Sequence, residues 1–319
     1  MKINLSKGEE IMKNNLIKST LLLASLLLFG CGGEVDKNAT VAISGAWALY
    51  PMAQRWKSEY AKIHPEINLE VSGGGAGKGM TDVLSDLVDI AMVSRAVYPE
   101  ELEKGAVPYP VAKDTVVVVI NEKAPFAEKL LKRGLKKSEF QKIWLEDNAS
   151  AEIFGEEGAL NVYTRSDACG AAETFAAFLG KKQENLKGSG IPSDPGVPEA
   201  VRGDVRGIGY CNLNYGYDPE TGRPVKGVLT VPVDVNENGV VDKDEEITTK
   251  EFLIASIQKG VYPAPPARDL YFVTKGELKP AAKEFLLWTM TEGQKFNDAV
   301  GYMSPNKENL EKAINSLKK

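Results

Sequence analysis

Residues 164–178 read Thr164-Arg165-Ser166-Asp167-Ala168-Cys169-Gly170-Ala171-Ala172-Glu173-Thr174-Phe175-Ala176-Ala177-Phe178. They have the form of a strand end, a tight turn from Asp167 to Gly170, and a helix. Free N–H groups in the first turn of a helix carry partial positive charge, so such a turn beside Arg165 suits an anion. Two earlier places are built alike. Residues 41–43 read as a strand, Ser44-Gly45-Ala46 as a turn, and 48–63 as a helix with Pro51 in its first turn, where a missing N–H costs least. Residues 67–71 read as a second strand, followed by Ser72-Gly73-Gly74-Gly75-Ala76-Gly77-Lys78-Gly79 and a helix to residue 87. Those glycines let the backbone approach a ligand closely. Lys78 is followed by Gly79 rather than Ser or Thr, which excludes a P-loop, and no GxGxxG precedes an acidic residue at Rossmann spacing.

Working outward, residues 89–93 form a third apolar strand that ends in Ser94-Arg95. Thr115 is followed by five β-branched apolar residues, a pattern for a strand buried on both faces. Helices are predicted at 126–131, 138–144, 198–205, 279–291 and 306–317, strands at 161–164, 207–211 and 269–274, and turns at 191–198. Strands alternating with helices predict an α/β protein with mainly parallel sheets, whose ligands bind beyond the carboxyl ends of the strands. A strand and helices returning after the middle region make the chain cross twice between two lobes, and two crossings make a hinge.

A chain of 319 residues with 43% hydrophobic and 26% charged residues is long enough for two domains. Lys13 and Lys18 precede an apolar run at 21–29, too short to span a membrane, so residues 1–30 read as a signal peptide. Glu9 and Glu10 are unusual in such a leader, which makes Met12 a candidate start. Leu28-Phe29-Gly30-Cys31 resembles the lipobox of bacterial lipoproteins, so Cys31 is expected to carry lipid, with 31–40 as a tether. Removing the leader takes four lysines and two glutamates from 39 basic and 44 acidic residues and leaves a net charge of −7. That balance argues against nucleic acid as a partner. Cys169 and Cys211 then remain, in a compartment that permits a disulfide between them. Cys169 at a helix N-terminus also has the logic of a low-pKa nucleophile, but the single histidine, His64, lies in another segment and no base is evident.

Residues 234–245 match an EF-hand loop at every chemically meaningful position. Asp234, Asn236, Asn238 and Asp242 place side-chain oxygens at loop positions 1, 3, 5 and 9, Gly239 bends the chain at 6, Val240 offers its carbonyl at 7, and Glu245 stands at 12. A strand precedes the loop where a helix would be usual, so the site reads as a single structural Ca2+ loop that stiffens the helix at 250–259. The other reading is a polar hairpin tip.

Ile43-Ser44-Gly45 before the helix with Pro51, the loop Gly73-Gly74-Gly75-Ala76-Gly77, residues 88–95, and Arg165-Ser166-Asp167 with Gly170 resemble the phosphate-binding proteins of bacterial phosphate ABC transporters. Tyr262-Pro263, Arg268-Asp269-Leu270-Tyr271-Phe272-Val273 and Gly293-Gln294 extend the resemblance over nearly all of the mature chain. It implies a two-lobed periplasmic binding protein of type II, each lobe a mainly parallel sheet flanked by helices, joined by a two-strand hinge. Lobe I would take residues 41–114 and 262–319, and lobe II residues 115–261. The implied protein is a monomeric, non-enzymatic, lipid-anchored binding protein of the periplasm or cell surface. It captures phosphate or another oxyanion for a membrane permease. The ligand positions carried over are Ala46, Trp47, Ala48, Ala76, Gly77, Ser94, Arg95, Arg165, Cys169, Gly170 and Ala171. Where the family has hydroxyls this chain has Trp47, Ala48, Ala76, Cys169 and Ala171, and Ser94 takes the place of the family's proton-accepting aspartate. These departures leave the choice of oxyanion open. They also leave an alternative, a calcium-stabilised surface or signalling protein with a degenerate pocket.

Overall fold

Valine dominates the strand that anchors the second half of the fold. In the computed structural model, which describes residues 39–147, 153–154 and 159–318, the run Val116–Asn121 is buried along its whole length. Central strands covered on both faces need this continuous apolar pattern. The signal peptide, Met12 and Cys31 lie outside the described residues.

Among the described residues ten strands form two five-stranded sheets. The first has the order β2-β1-β3-β10-β4, made of Thr40–Gly45 (β1), Asn68–Gly73 (β2), Ile90–Val93 (β3), Ala106–Asp114 (β4) and Arg268–Lys275 (β10). The second has the order β7-β6-β8-β5-β9, made of Val116–Asn121 (β5), Asn161–Arg165 (β6), Ser189–Ile191 (β7), Gly207–Asn212 (β8) and Val228–Val231 (β9). β1 pairs in parallel with β2 and β3, while β10 runs antiparallel between β3 and β4. β6 pairs in parallel with β7 and β8, while β5 runs antiparallel between β8 and β9. The sheets are therefore mixed, each with one reversed strand among four that share a direction. The reversed strands are the ones that enter a sheet directly from the other half of the chain. β5 follows β4 after Thr115 alone, and β10 follows the turn-rich segment beyond Tyr262. Tyr262 Oη, at that second crossing, donates to the Val116 carbonyl at 2.9 Å, next to the first.

Helices cover the sheets. They include Tyr50–Tyr60 (α1), Ala76–Leu84 (α2), Pro99–Glu103 (α3), Ala127–Arg133 (α4), Lys137–Leu145 (α5), Gly170–Phe178 (α6), Gly196–Gly203 (α7), Lys250–Gln258 (α8), Pro280–Met290 (α9) and Lys307–Leu317 (α10). The glycine-rich segment is shorter as a loop than its composition predicts, because α2 already begins at Ala76. Packing explains this. A Cβ on Gly79 would lie 2.7 Å from Gly45 Cα, so glycine at 79 lets the helix press against β1. In the first half Trp56, Tyr60, Phe272 and Phe285 fill the core, with Trp56 edge-on to Phe272 at 5.5 Å. In the second, Phe175 stacks on Tyr210 at 4.5 Å and meets Trp144 edge-on at 4.9 Å. β7 is a strand that a turn-rich reading of its surroundings does not show. Gly188 and Gly190 flank Ser189, and only pairing with β6 makes the segment extended.

Candidate functional site

The carboxyl ends of β1, β2, β3 and β6 bring the glycine-containing turns together. A Cβ on Gly170 would overlap the backbone and hydroxyl of Ser94, so the N-terminus of α6 rests on the exit of β3. Gly75 adopts φ 92, and a Cβ there would sit 3.0 Å from the Ala168 carbonyl oxygen; one on Gly77 would sit 3.3 Å from Ala168 Cβ. Ala76, Gly77, Ser94, Cys169, Gly170 and Ala171 all belong to this junction, and Ala76, Ser94, Cys169 and Ala171 are buried.

Arg165 ends β6 with its side chain wholly enclosed. Its Nε donates to Asp167 Oδ1 at 2.8 Å and its Nη2 to Asp167 Oδ2 at 2.5 Å. Asp194 Oδ2 lies 2.8 Å from Nη1, a buried ion pair that completes the enclosure of the guanidinium. Burial opposes the charge of this guanidinium, yet Asp194 and Asp167 hold its pKa above the ordinary arginine range. Asp194 is itself buried and held by Asn212, whose backbone N and Nδ2 donate to it at 3.2 and 2.5 Å. Gln183 secures the turn from outside, donating to the Asp167 carbonyl at 2.8 Å and accepting from Cys169 N at 3.2 Å.

The other expected residues have different surroundings. Ala46 N donates to the Met92 carbonyl at 2.8 Å, the Ala48 carbonyl accepts from Tyr302 Oη at 2.7 Å, and the Trp47 carbonyl accepts from Tyr215 Oη at 3.1 Å. The Trp47 ring lies across Gly73 and edge-on to Tyr50 at 5.6 Å. Arg95 is anchored on its own side of the junction. It makes a two-pronged pair with Glu101 at 2.7 and 2.8 Å and lies over the Tyr98 ring at 4.1 Å. A cavity of about 1010 Å³ opens beside it, with Ser166, Ala168, Thr174 and Arg268 among its lining residues.

Cys169 and Cys211 are free thiols, both buried, so the bond that their compartment permits is not formed here. Cys169 caps α6, its Sγ accepting from Ala172 N at 3.5 Å, and Cys211 sits within β8 against Gly216. Burial pushes the Cys169 thiol up to about 12 against the pull of Arg165. A thiol held in that state is no nucleophile at neutral pH. Asp194, Gln183 and Asn212 carry no sequence motif, and no local signal marks them; Arg268 lies in a stretch that carries the resemblance, but nothing in that stretch names its partners. Asp194 sits in a turn between Ser193 and Pro195 and meets Arg165 only because β6 and β7 pair.

The loop 234–245 is folded around its own carboxylates. Asp234 Oδ1 and Oδ2 accept from Asn238 N at 3.1 Å and Gly239 N at 2.9 Å. Glu245 Oε1 accepts from Val235 N at 2.8 Å, and Oε2 from Asp242 N at 3.1 Å. Asp234 and Glu245 are buried, and among the described residues no lysine or arginine pairs with either. Among the described residues no three His, Cys, Asp or Glu side chains stand together as a metal-holding group. Asp234 N and Val241 N donate to the carbonyls of Leu135 and Lys132, both at 2.9 Å, so the end of α4 braces the loop.

A family model described as a PBP superfamily domain matches residues 33–292. The chain belongs to that superfamily. The "Phosphate-binding protein PstS" of Staphylococcus haemolyticus is 24% identical over 96% of this chain and 97% of its own length. The protein of the same name from Bacillus subtilis is 24% identical over 88% of this chain and 90% of its own. Among solved structures, a Clostridium perfringens ABC transporter substrate-binding protein with bound phosphate aligns at TM-score 0.69, 22% identity, 84% of this chain and 100% of that one. An ABC-type phosphate transport receptor from Vibrio cholerae aligns at TM-score 0.62, 18% identity, 84% and 100%. These likenesses establish the fold, the two-lobed α/β arrangement of periplasmic binding proteins, with one sheet in each lobe.

Proposed function

We propose that this PBP superfamily member is an extracytoplasmic binding protein that captures phosphate or a related oxyanion and delivers it to an ABC transporter permease. The observation that carries this reading is Arg165. A buried guanidinium, paired with Asp167 and with Asp194 Oδ2 2.8 Å from its Nη1, stands beside the N-terminus of α6, and a helix N-terminus beside an arginine favours an anion. Relatives called phosphate-binding proteins match the chain nearly end to end. The side chain is fully enclosed, so an anion reaches it only when the lobes part. Each hydroxyl replaced by Ala48, Ala76, Cys169 or Ala171 removes a contact worth on the order of 1.5–3 kcal/mol to a charged ligand, and the backbone amides and Arg165 carry the remainder. Calorimetric and tryptophan-fluorescence titrations with phosphate, sulfate, molybdate and tungstate test the proposal. The expected result is one site that takes phosphate or one of the other three; silence with all four sinks it.

The same reading places a lipid on Cys31, holding a monomer at the membrane, and the mass of the mature chain checks the lipid. It also places a structural Ca2+ in the 234–245 loop. Two buried carboxylates that meet no lysine or arginine among the described residues fit that ion, and Asp234, Asn236, Asn238, Val240, Asp242 and Glu245 would hold it.

A further inference from the structure

Two arginines from the first lobe grip the first turn of α6, which belongs to the second. Arg268, at the start of β10, is anchored within its own lobe by Asp114 at the end of β4, Nε to Oδ1 3.0 Å. Its other nitrogens reach across. Nη1 donates to Thr174 Oγ1 at 2.8 Å and to the Gly170 carbonyl, and Nη2 donates to Asn212 Oδ1. Arg95 repeats the plan on the far side of the helix. Glu101 anchors it within the first lobe, while Glu173 of α6 approaches its Nε at 3.3 Å and takes the Tyr98 hydroxyl at 2.5 Å. Each arginine thus has one carboxylate that it keeps in any lobe arrangement and further acceptors that exist only when the lobes meet.

We infer that Arg268 is the clasp that holds the lobes closed and positions the anion turn, with Arg95 as a second, weaker hold. The inference rests on the reading of this chain as a binding protein that closes over its ligand. Arg268 is the better placed of the two because its acceptors continue to the site. Asn212, which it contacts, also holds Asp194, and Asp194 lies against Arg165. A buried polar chain therefore runs from the crossing at Asp114 through Arg268, Asn212 and Asp194 to Arg165. Of the cross-lobe acceptors, the Gly170 carbonyl lies in the first turn of α6 and Thr174 just beyond it, so the pull of Arg268 fixes the amides that would face an anion.

The test uses the full chain with Arg268→Met, which leaves Asp114 buried without its partner. The double variant Arg268→Met/Asp114→Asn removes that complication, and Thr174→Val and Arg268→Lys trim the clasp by degrees. Small-angle scattering is measured with and without inorganic phosphate, and phosphate release is followed by stopped flow. A residue that merely stabilises the fold would lower the melting temperature and change neither readout. The expected result is a larger radius of gyration for the double variant than for wild type, and phosphate release faster by about tenfold or more, with Arg268→Lys in between. Wild-type scattering and wild-type release from a folded double variant would overturn the clasp. If the wild type binds none of the oxyanions the proposed function fails, and the ligand-free scattering alone then decides the clasp.

Discussion

Lys250 opens α8 as a buried ammonium whose partners are neutral, Asn214 Oδ1 at 2.5 Å and the Val300 carbonyl at 3.0 Å. Burial pushes its pKa down to about 8, with Asp218 opposing. An unfolded lysine titrates near 10.4, so between about pH 8 and 10.4 the unfolded chain binds the extra proton and stability rises with pH. Asp114 carries the opposite sign. Burial outweighs Arg268 and raises it to about 6, so between about pH 4 and 6 the folded chain binds the extra proton and stability falls with rising pH. Urea midpoints measured across pH for wild type, Lys250→Met and Asp114→Asn separate the two. Lys250→Met should lose the alkaline rise, at most about 3 kcal/mol for a gap of roughly two pKa units, and Asp114→Asn the acid-side fall. At Arg165, substitution by Met strands Asp194 in the interior, at a cost of about 3–5 kcal/mol. Arg165→Met/Asp194→Asn should restore most of that stability and still bind no oxyanion, which thermal melts and titration together check.

Among the elements, α6 carries both packing and site. Its inner face puts Phe175 between Tyr210 and Trp144, and Phe175→Ala should cost about 3–5 kcal/mol in urea unfolding and weaken ligand binding with it. The 234–245 loop, proposed to hold Ca2+, is the other element with a direct test. Ca2+ at a hundredfold excess over its dissociation constant should stabilise the wild type by about 2.7 kcal/mol, read as a rise in melting temperature that Glu245→Gln abolishes. Both elements were legible in the residues alone. Turn chemistry and apolar spacing are local, and the loop's oxygens fall at fixed offsets in one short segment. The bracing of that loop by Lys132 and Leu135 was not legible, because nothing in either segment names the other.

For the whole molecule, two lobes meet at turns that ordinary packing also fills, since Ala46, Ala48 and Ala76 are buried. On the proposed function, the tradeoff between this lobe contact and an open anion seat would set affinity. A bare oxyanion must displace part of that contact, so affinity should depend on Arg268 and Glu173 as well as on Arg165. Titration of Glu173→Gln with inorganic phosphate, if the wild type binds it, should show a modest weakening, about 0.5–1.5 kcal/mol for one partly exposed pair with a tyrosine contact.

By itself the sequence determined most of the strands and helices and the resemblance that predicts two lobes, and it pointed to three anion-type turns and a calcium-type loop, because each is written in neighbouring residues. Only the tertiary structure decided what Arg165 meets, that Cys169 and Cys211 stay apart, and that Arg268 joins Asp114 to α6. Arg268 lies 154 positions from Asp114 and 98 from Gly170, and contacts over such separations follow from how strands pair across a sheet, which no local pattern encodes.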